Sequence, residues 1–257
     1  MSQRGIQSIE VGGSLLLALV RHGRAMALKD LAQAACMSAA KAHPYLVSYG
    51  KLGLIVQDTA SGHYGLGPLA MQLGLISLQQ SDPLRLATER LPVLAAQVGQ
   101  TVGITVWGER GATVVRVEEA PSPVHVTMRH GAVMSLRGTA SGRLFAAWLP
   151  RSKVREALRA EAGRGTLDKI FVAELAAIRE AGISRAEGAA VPGVSGLAVP
   201  VFDATGQLAL ALTAIGATAA FDARPEGAAA VTLRQAALDL TAQLGAQAAG
   251  RFRSASG

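Results

Sequence analysis

Hydroxyl, basic and aromatic side chains are concentrated between residues 38 and 51, in "SAAKAHPYLVSYGK". The hydroxyl, ammonium and imidazole groups of this segment are donors of the kind that contact phosphate oxygens and base edges. An ordinary solvated helix face has a similar composition, so the neighbouring elements must decide between the two interpretations. The candidate nucleic-acid contacts are Ser38, Ala39, Lys41, His43, Tyr45 and Lys51, with Ser61 and His63 further along the chain.

A second group of small and hydroxyl-bearing residues follows a turn at Gly138 and opens a predicted helix. Free N–H groups at a helix start, together with the positive end of the helix dipole, favour a bound carboxylate. Small side chains also allow a ligand to approach the backbone closely. An ordinary capped helix start explains the same residues equally well. The candidate ligand contacts in this group are Thr139, Ala140, Ser141 and Gly142.

Three more side chains could complete such a site. Trp107 and Met128 lie on neighbouring predicted strands and are candidate walls, although core packing accounts for both. Arg137 could pair with the carboxylate of a ligand, or just as well with Glu118 or Glu119.

No motif supports catalysis or metal binding. "GVSGL" lacks the final glycine of a nucleophile elbow, because Leu197 occupies that position. His125 and His130 have no carboxylate or cysteine at ligand spacing. No G-x-x-x-x-G-K-[ST] loop is present. We therefore expect a protein that is not an enzyme and has no metal or cofactor.

Composition favours a cytoplasmic protein with an anionic partner. The 257 residues carry a formal charge of +7, which suits nucleic acid or a membrane surface, although a genomic preference for arginine would give the same charge. The single Cys36 excludes an intrachain disulfide and fits a reducing compartment. No signal peptide is recognisable, and the apolar run 208–221 is shorter than the roughly 20 residues that span a bilayer.

The segment 38–51 lies within a predicted winged helix-turn-helix. Helical spacing predicts helices over 8–22, capped by Ser8, and over 26–35, and a third helix that starts at Ser38 and ends near Gly50–Gly53. An apolar strand, a turn and a short return strand then predict a hairpin. We expect this unit to span residues 1–67, followed by a linker helix over 68–82.

Pro44 falls at the sixth helical position after Ser38, past the first turn where proline is tolerated. It removes the hydrogen bond to the carbonyl of Ala40, at a cost of about 3 kcal/mol in a regular helix. Two outcomes are open. The helix either kinks near Ala40, which we favour, or starts properly only around His43 after a separate turn.

The rest of the chain predicts an α+β unit over 83–250, with an antiparallel sheet flanked by helices, and a loose tail over 251–257. Predicted helices cover 83–99, 139–149, 152–161, 172–182 and 226–249, and predicted strands cover 101–108, 112–119, 124–129, 196–203 and 207–216.

Three stretches together resemble the IclR family of bacterial transcriptional regulators. "LVSYGKLGLIVQDTASGHYGLG" (46–67) is similar to the family pattern LV..L...GLV..D...G.Y.LG. "TASGRLFAAWLP" (139–150) and "PGVSGLAVPVFDATGQLALALTAIG" (192–216) resemble two further family segments, so the likeness covers nearly the whole chain. One departure is Pro44, where relatives commonly carry arginine, so that one expected DNA contact is lost.

The resemblance implies a GAF-like effector domain, a dimer or dimer of dimers on a palindromic operator, and promoter binding modulated by a small organic acid. Relatives that bind very small polar acids have acidic, cysteine and serine residues where this chain has smaller or less polar ones. The resemblance therefore implies an aromatic or medium-sized acid here. The resemblance places the effector against the turn around Gly138, the loop and strand 186–196, and two strand residues, Thr213 and Ile215. Within the loop and strand the named contacts are Ala186, Ser195 and Gly196.

Two alternatives remain at this point. The chain could be an enzyme acting on a small organic acid, with the helical head serving as an oligomerisation module. It could also be a sensor that has lost DNA binding through Pro44.

Overall fold

The computed structural model describes residues 5–80, 82–120, 126–162 and 167–246. The chain divides between residues 81 and 82 into two compact units. Each unit has its own buried apolar cluster.

The first unit has the element order of a winged helix-turn-helix, as predicted. Buried residues from all three leading helices and from the hairpin form its core, among them Leu15, Leu31, Leu46 and Ile55. Met26 adds an isolated bridge to Tyr64 at the edge of the hairpin. The elements are α1 (Gln7–His22), α2 (Leu28–Ala34), α3 (Ala39–Leu52), β1 (Ile55–Gln57), β2 (Tyr64–Leu66) and α4 (Pro68–Gln80).

The turn between α2 and α3 is a Schellman motif. The N–H of Cys36 donates to the carbonyl of Gln33, and the N–H of Met37 donates to that of Ala32. Cys36 consequently has a left-handed backbone, φ 55°, a conformation that usually selects glycine because it crowds Cβ.

The cap of α3 is the predicted one, and the cap of α1 is not. The hydroxyl of Ser38 accepts a hydrogen bond from the N–H of Lys41 at 3.3 Å, as expected for an N-cap serine. The prediction that Ser8 caps α1 is wrong, because that helix already begins at Gln7 and its N-cap, Ile6, makes no side-chain bond. Gly23 and Gly53 end α1 and α3 in the left-handed conformation.

Pro44 lies inside a continuous helix. Because α3 runs from Ala39 to Leu52 and the N–H of Ala42 already donates to Ser38, the alternative of a separate turn before His43 is wrong. The carbonyl left without its helical donor belongs to Ala40, an exposed residue, so water can satisfy it. The kink near Ala40 stays a prediction.

The second unit is an α+β domain built on a five-stranded antiparallel sheet with strand order β4-β3-β7-β6-β5. Its elements are α5 (Pro83–Val98), β3 (Thr101–Gly108), β4 (Gly111–Glu118), α6 (Ala140–Trp148), α7 (Arg151–Ala162), α8 (Lys169–Ala181), β5 (Ser184–Glu187), β6 (Val194–Phe202), β7 (Leu208–Ala217) and α9 (Ala228–Gln243).

Two features of this sheet differ from the prediction. The strand predicted over 124–129 is wrong for residues 126–129, which form no strand, while residues 124 and 125 lie outside the described residues. The edge strand β5 was not predicted. It pairs with β6 through the register Ala186 opposite Gly196.

The two faces of the sheet are packed differently. Helices α5 and α9 cover one face with large aliphatic side chains, such as Leu91 and Leu233 against Val199 and Leu212. Helix α6 lies on the other face, where the strands present smaller residues such as Ala198. The small residues on this second face leave room for the cavity described below.

None of the helices in the described ranges is both long and apolar enough to cross a membrane.

Candidate functional site

A cavity of about 490 Å³ lies in the second unit, beside the start of α6. Its walls come from the sheet, from the connection that leads into α6, and from the loop between β5 and β6. The lining residues are Val126, Thr127, Met128, Arg129, Val133, Met134, Ser135, Gly138, Thr139, Ala140, Ser141, Ala186, Ala189, Ala190, Val191, Val194, Ser195, Gly196, Thr213 and Ile215.

The start of α6 presents backbone donors to this cavity. Thr139 is the N-cap, and its hydroxyl accepts from the N–H of Gly142 at 3.0 Å and donates to the carbonyl of Ser135 at 2.8 Å. The N–H groups of Ala140 and Ser141 have no hydrogen-bond partner among the described residues. Unpaired N–H groups at a helix start favour an acceptor with negative charge.

Gly142 serves the packing of the turn. A Cβ at this position would lie 2.1 Å from the carbonyl oxygen of Ser135, so only glycine allows the approach. Gly142 itself does not line the cavity.

The connection Ser135–Gly138 is fixed in place by two carboxylates from later helices. The N–H of Leu136 donates to Glu161 at 2.9 Å. Arg137 pairs with Asp168 at 2.5 Å and lies 4.5 Å above the ring of Phe171. The N–H of Phe171 lowers the pKa of Asp168, and the Arg137 guanidinium lowers that pKa further.

The floor of the cavity holds an unpaired hydroxyl. Thr213 is 3% exposed and lines the cavity, yet its Oγ1 has no hydrogen-bond partner among the described residues. A buried hydroxyl without a partner is unfavourable. A ligand with a polar group at this depth would satisfy it.

Met128 lies over the sheet beside this floor. Gly103 pairs with Thr213 on the neighbouring strand, and a Cβ at Gly103 would lie 2.6 Å from Cε of Met128. The glycine therefore makes space for the methionine, which is 8% exposed.

Most of the predicted effector contacts line this one cavity, and three do not. Those that line it are Met128, Thr139, Ala140, Ser141, Ala186, Ser195, Gly196, Thr213 and Ile215, and those that do not are Trp107, Arg137 and Gly142. The ring of Trp107 instead packs against that of Phe145, with centroids 5.8 Å apart. The hydroxyl groups of Ser195 and Thr218 are hydrogen-bonded to each other, with their oxygens 2.9 Å apart.

Sequence reasoning missed the lining residues that come from the connection between β4 and α6, where the chain has no regular periodicity. Those residues are Val126, Thr127, Arg129, Val133, Met134 and Ser135. The other lining residues fall in the turn at Gly138 and in the loop and strand 186–196, the regions against which the resemblance placed the effector, although they were not named one by one: Gly138, Ala189, Ala190, Val191 and Val194. Among the lining residues that the structure describes, Arg129 is the one charged residue.

In the first unit, six of the eight candidate DNA contacts are exposed and two are half-buried. The exposed ones are Ser38, Lys41, His43, Lys51, Ser61 and His63, and the half-buried ones are Ala39 and Tyr45. Tyr45 and Tyr49 pack against Gly12 of α1, where a Cβ would lie 2.8 Å from the ring of Tyr45. Tyr45 is therefore mainly a packing residue. Burial raises the pKa of Tyr49, and the neighbouring Tyr45 raises that pKa further.

The wing turn is held by a carboxylate. The N–H of Ala60 and the hydroxyl of Ser61 both donate to Asp58, at 2.8 and 3.0 Å, and these bonds lower the pKa of Asp58. The hydroxyl of Ser61 also accepts from the N–H of His63 at 3.3 Å. His63 thus projects from an ordered turn.

In the part of the chain that the structure describes, no three His, Cys, Asp or Glu residues are arranged to hold a metal ion. His125 lies outside that part.

Comparison with known proteins assigns this architecture to a family. Residues 76–242 match the family described as bacterial transcriptional regulator IclR C-terminal. The glycerol operon regulatory protein of Streptomyces griseus is 31% identical over 97% of this chain and 99% of its own length. The HTH-type transcriptional regulator KdgR of Dickeya chrysanthemi is 25% identical over 90% of this chain and 77% of its own length.

Among solved structures, Pseudomonas aeruginosa HmgR superposes with a TM-score of 0.88. It is 37% identical and covers 95% of this chain and 100% of its own. The matches extend through both units and agree with the winged helix-turn-helix and the α+β domain described above. The chain therefore belongs to the IclR family of bacterial transcriptional regulators.

Proposed function

We propose that the protein binds operator DNA through its first unit and a small organic acid, aromatic or medium-sized, through its second, and that the acid changes its affinity for DNA. The observation that carries the proposal is the cavity of about 490 Å³ in a chain whose other unit is a winged helix-turn-helix. Cavities of roughly 300–1,000 Å³ are typical of small-molecule sites.

The cavity walls support an acid with an apolar body. Met134, Val194 and Ile215 contribute aliphatic and thioether surface, and Ala186 and Gly196 leave space where larger side chains would fill it. The unpaired N–H groups of α6 and the hydroxyl of Thr213 supply a few polar contacts. Few polar groups within a mainly apolar wall favour an aromatic or medium-chain acid over one with two or three carbons.

The exposed residues of α3 support DNA binding. Lys41 and His43 project from the second helix of the helix-turn-helix, the helix that enters the major groove in such motifs. We propose that the protein acts as a dimer or dimer of dimers on a palindromic operator. Exposed apolar residues on α1 and α4, such as Leu17 and Met71, offer surface for such assembly.

The proposal is tested by gel-shift titration of the full chain with its own upstream DNA, with and without benzoates, phenylalkanoates and C5–C8 straight-chain acids. We expect a shift at low salt and a change in DNA affinity with at least one acid. Absence of any shift at low salt would count decisively against DNA binding, because phosphate contacts alone give measurable affinity.

A matched pair of lysine variants makes the DNA assignment specific. Lys41→Ala should weaken operator binding and reduce the salt dependence by about one phosphate contact. Lys153→Ala removes the same charge from an exposed position on α7 of the second unit and should leave both unchanged. Equal effects of the two variants would show that net charge alone, and not α3, determines the affinity.

A further inference from the structure

We propose that Arg129 binds the carboxylate of the acid at the mouth of the cavity, so that the apolar body of the acid extends inward to the floor at Thr213. The inference rests on the proposed function and deepens it, because it names the residue that recognises the acid group and the orientation of the acid.

The cavity has a buried end and an open end. Thr213, Met128 and Ser141 are buried, and they form its floor. Arg129 is exposed, as is Val191 on the loop after β5, so these residues lie at the opening. A carboxylate at the opening keeps contact with water, whereas a carboxylate on the buried floor would lose its hydration.

Arg129 is available for a ligand, in contrast to the other arginines around this region. Arg137 is paired with Asp168, Arg185 is paired with Glu187, and Arg143 donates to two backbone carbonyls. All 18 Asp and Glu residues of the chain lie in the described ranges. None of them forms an ion pair with Arg129.

The chemistry of the two ends fits one orientation. A guanidinium can form two parallel hydrogen bonds to a carboxylate, while the floor offers a hydroxyl without a partner and apolar walls. The start of α6 is the competing place for the acid group, since the N–H groups of Ala140 and Ser141 also favour an anion. Those N–H groups can also donate to a neutral carbonyl oxygen, whereas Arg129 discriminates by charge.

The experiment measures binding of benzoate and hexanoate, and of the neutral benzamide and hexanamide, to the full chain by calorimetry. The variants are Arg129→Gln, Arg129→Lys and, as a matched control, Arg155→Gln, which neutralises an exposed arginine of α7 outside the cavity lining. We expect Arg129→Gln to weaken binding of the acids about tenfold and to leave the amides unaffected. Arg129→Lys should retain most of the preference for acid over amide, and Arg155→Gln should behave as the wild type.

Three outcomes would overturn the inference, and they differ in what they imply for the proposed function. If the acids bind Arg129→Gln as tightly as wild type, the acid group is recognised elsewhere, and the proposed function stands. If acids and amides weaken equally, Arg129 shapes the mouth without recognising charge. If neither acids nor amides bind the wild type, the proposed acid effector fails together with the inference.

Discussion

Arg129 and Arg137 are arginines on the same connection, but they have different surroundings. Arg137 pairs with Asp168, 31 residues later in the chain, and lies over Phe171. Arg129 lies at the cavity mouth and forms no ion pair with an Asp or Glu of the described residues. The sequence left Arg137 to pair with a ligand carboxylate or with Glu118 or Glu119, whereas the structure pairs it with Asp168. A partner so distant in the chain cannot be recognised from local spacing.

Cys36 allows a direct test of backbone strain. Its left-handed conformation at the Schellman position disfavours any residue with a Cβ. Cys36→Gly should raise the free energy of unfolding of the first unit by about 0.5–1 kcal/mol, measured by urea titration with tyrosine fluorescence. Cys36→Ala keeps a Cβ and is the control that should give no such gain. A glycine variant no more stable than the alanine variant would show that the turn stores no strain.

Helix α3 has a favourable N-cap, Ser38, but it also contains Pro44, which has no backbone N–H to donate. Pro44→Ala should restore the bond to the carbonyl of Ala40 and stabilise the first unit by about 1–3 kcal/mol. The gain is smaller than in a buried helix, because Ala40 is exposed and water already reaches its carbonyl. The gain in stability is measured as an increase in the urea midpoint of unfolding, followed by tyrosine fluorescence.

Two substitutions at position 44 distinguish the effect of restoring the helical hydrogen bond from the effect of adding a contact to DNA. Pro44→Arg restores the helical hydrogen bond as Pro44→Ala does, but it also adds a cation to α3, the helix proposed to contact DNA. Operator affinity in a gel shift should therefore increase more for the arginine variant. If both variants bind as the wild type does, the idea that Pro44 removed a DNA contact is wrong.

Asp168, the N-cap residue of α8, pairs with Arg137 and so holds the connection that leads from the cavity into α6. The pKa of Asp168 is below its ordinary 3.8 because the folded state donates hydrogen bonds to the ionised carboxylate. A lowered pKa in the folded state stabilises the protein above pH 3.8, and this stabilisation is lost as the pH falls through the folded pKa. Asp168→Asn should therefore lower the melting temperature at neutral pH, and the difference from wild type should shrink below about pH 4.

The measurement is tryptophan-detected thermal unfolding between pH 3 and pH 7. Asp30→Asn neutralises an exposed carboxylate on α2 of the first unit and serves as the control. A difference between Asp168→Asn and wild type that stays constant across this pH range would contradict the assignment, because the loss would then not depend on the ionised carboxylate.

The elements that could be predicted from sequence are those with local signals. Helical spacing followed by a stop glycine located α1 and α3, and Gly99 marked the end of α5 in the same way. Residues 126–129 resembled a strand because they alternate, yet Met128 packs over Gly103 and the segment closes a cavity instead. Strand β5 has only four residues at a sheet edge, and it depends on pairing with β6, which no local pattern encodes.

At the scale of the whole molecule, the two units carry different aromatic reporters. All three tyrosines, at 45, 49 and 64, lie in the first unit, and both tryptophans, at 107 and 148, lie in the second. The proposed DNA contacts and the proposed acid contacts are divided between the units in the same way. Spectroscopy can therefore follow each unit in the intact chain.

This division predicts which ligand stabilises which unit. A ligand that binds only the folded state, present at about 100 times its Kd, adds about 2.7 kcal/mol. This corresponds to a rise in melting temperature of about 5–10 °C for the larger second unit and about 11–22 °C for the smaller first unit. The acid should raise the melting temperature seen by tryptophan, and operator DNA should raise the one seen by tyrosine. Because linkage is reciprocal, operator DNA must also change the Kd of the acid by the factor by which the acid changes that of DNA. An acid that shifts only the tyrosine transition would place its site in the first unit and refute the proposed division of function between the two units.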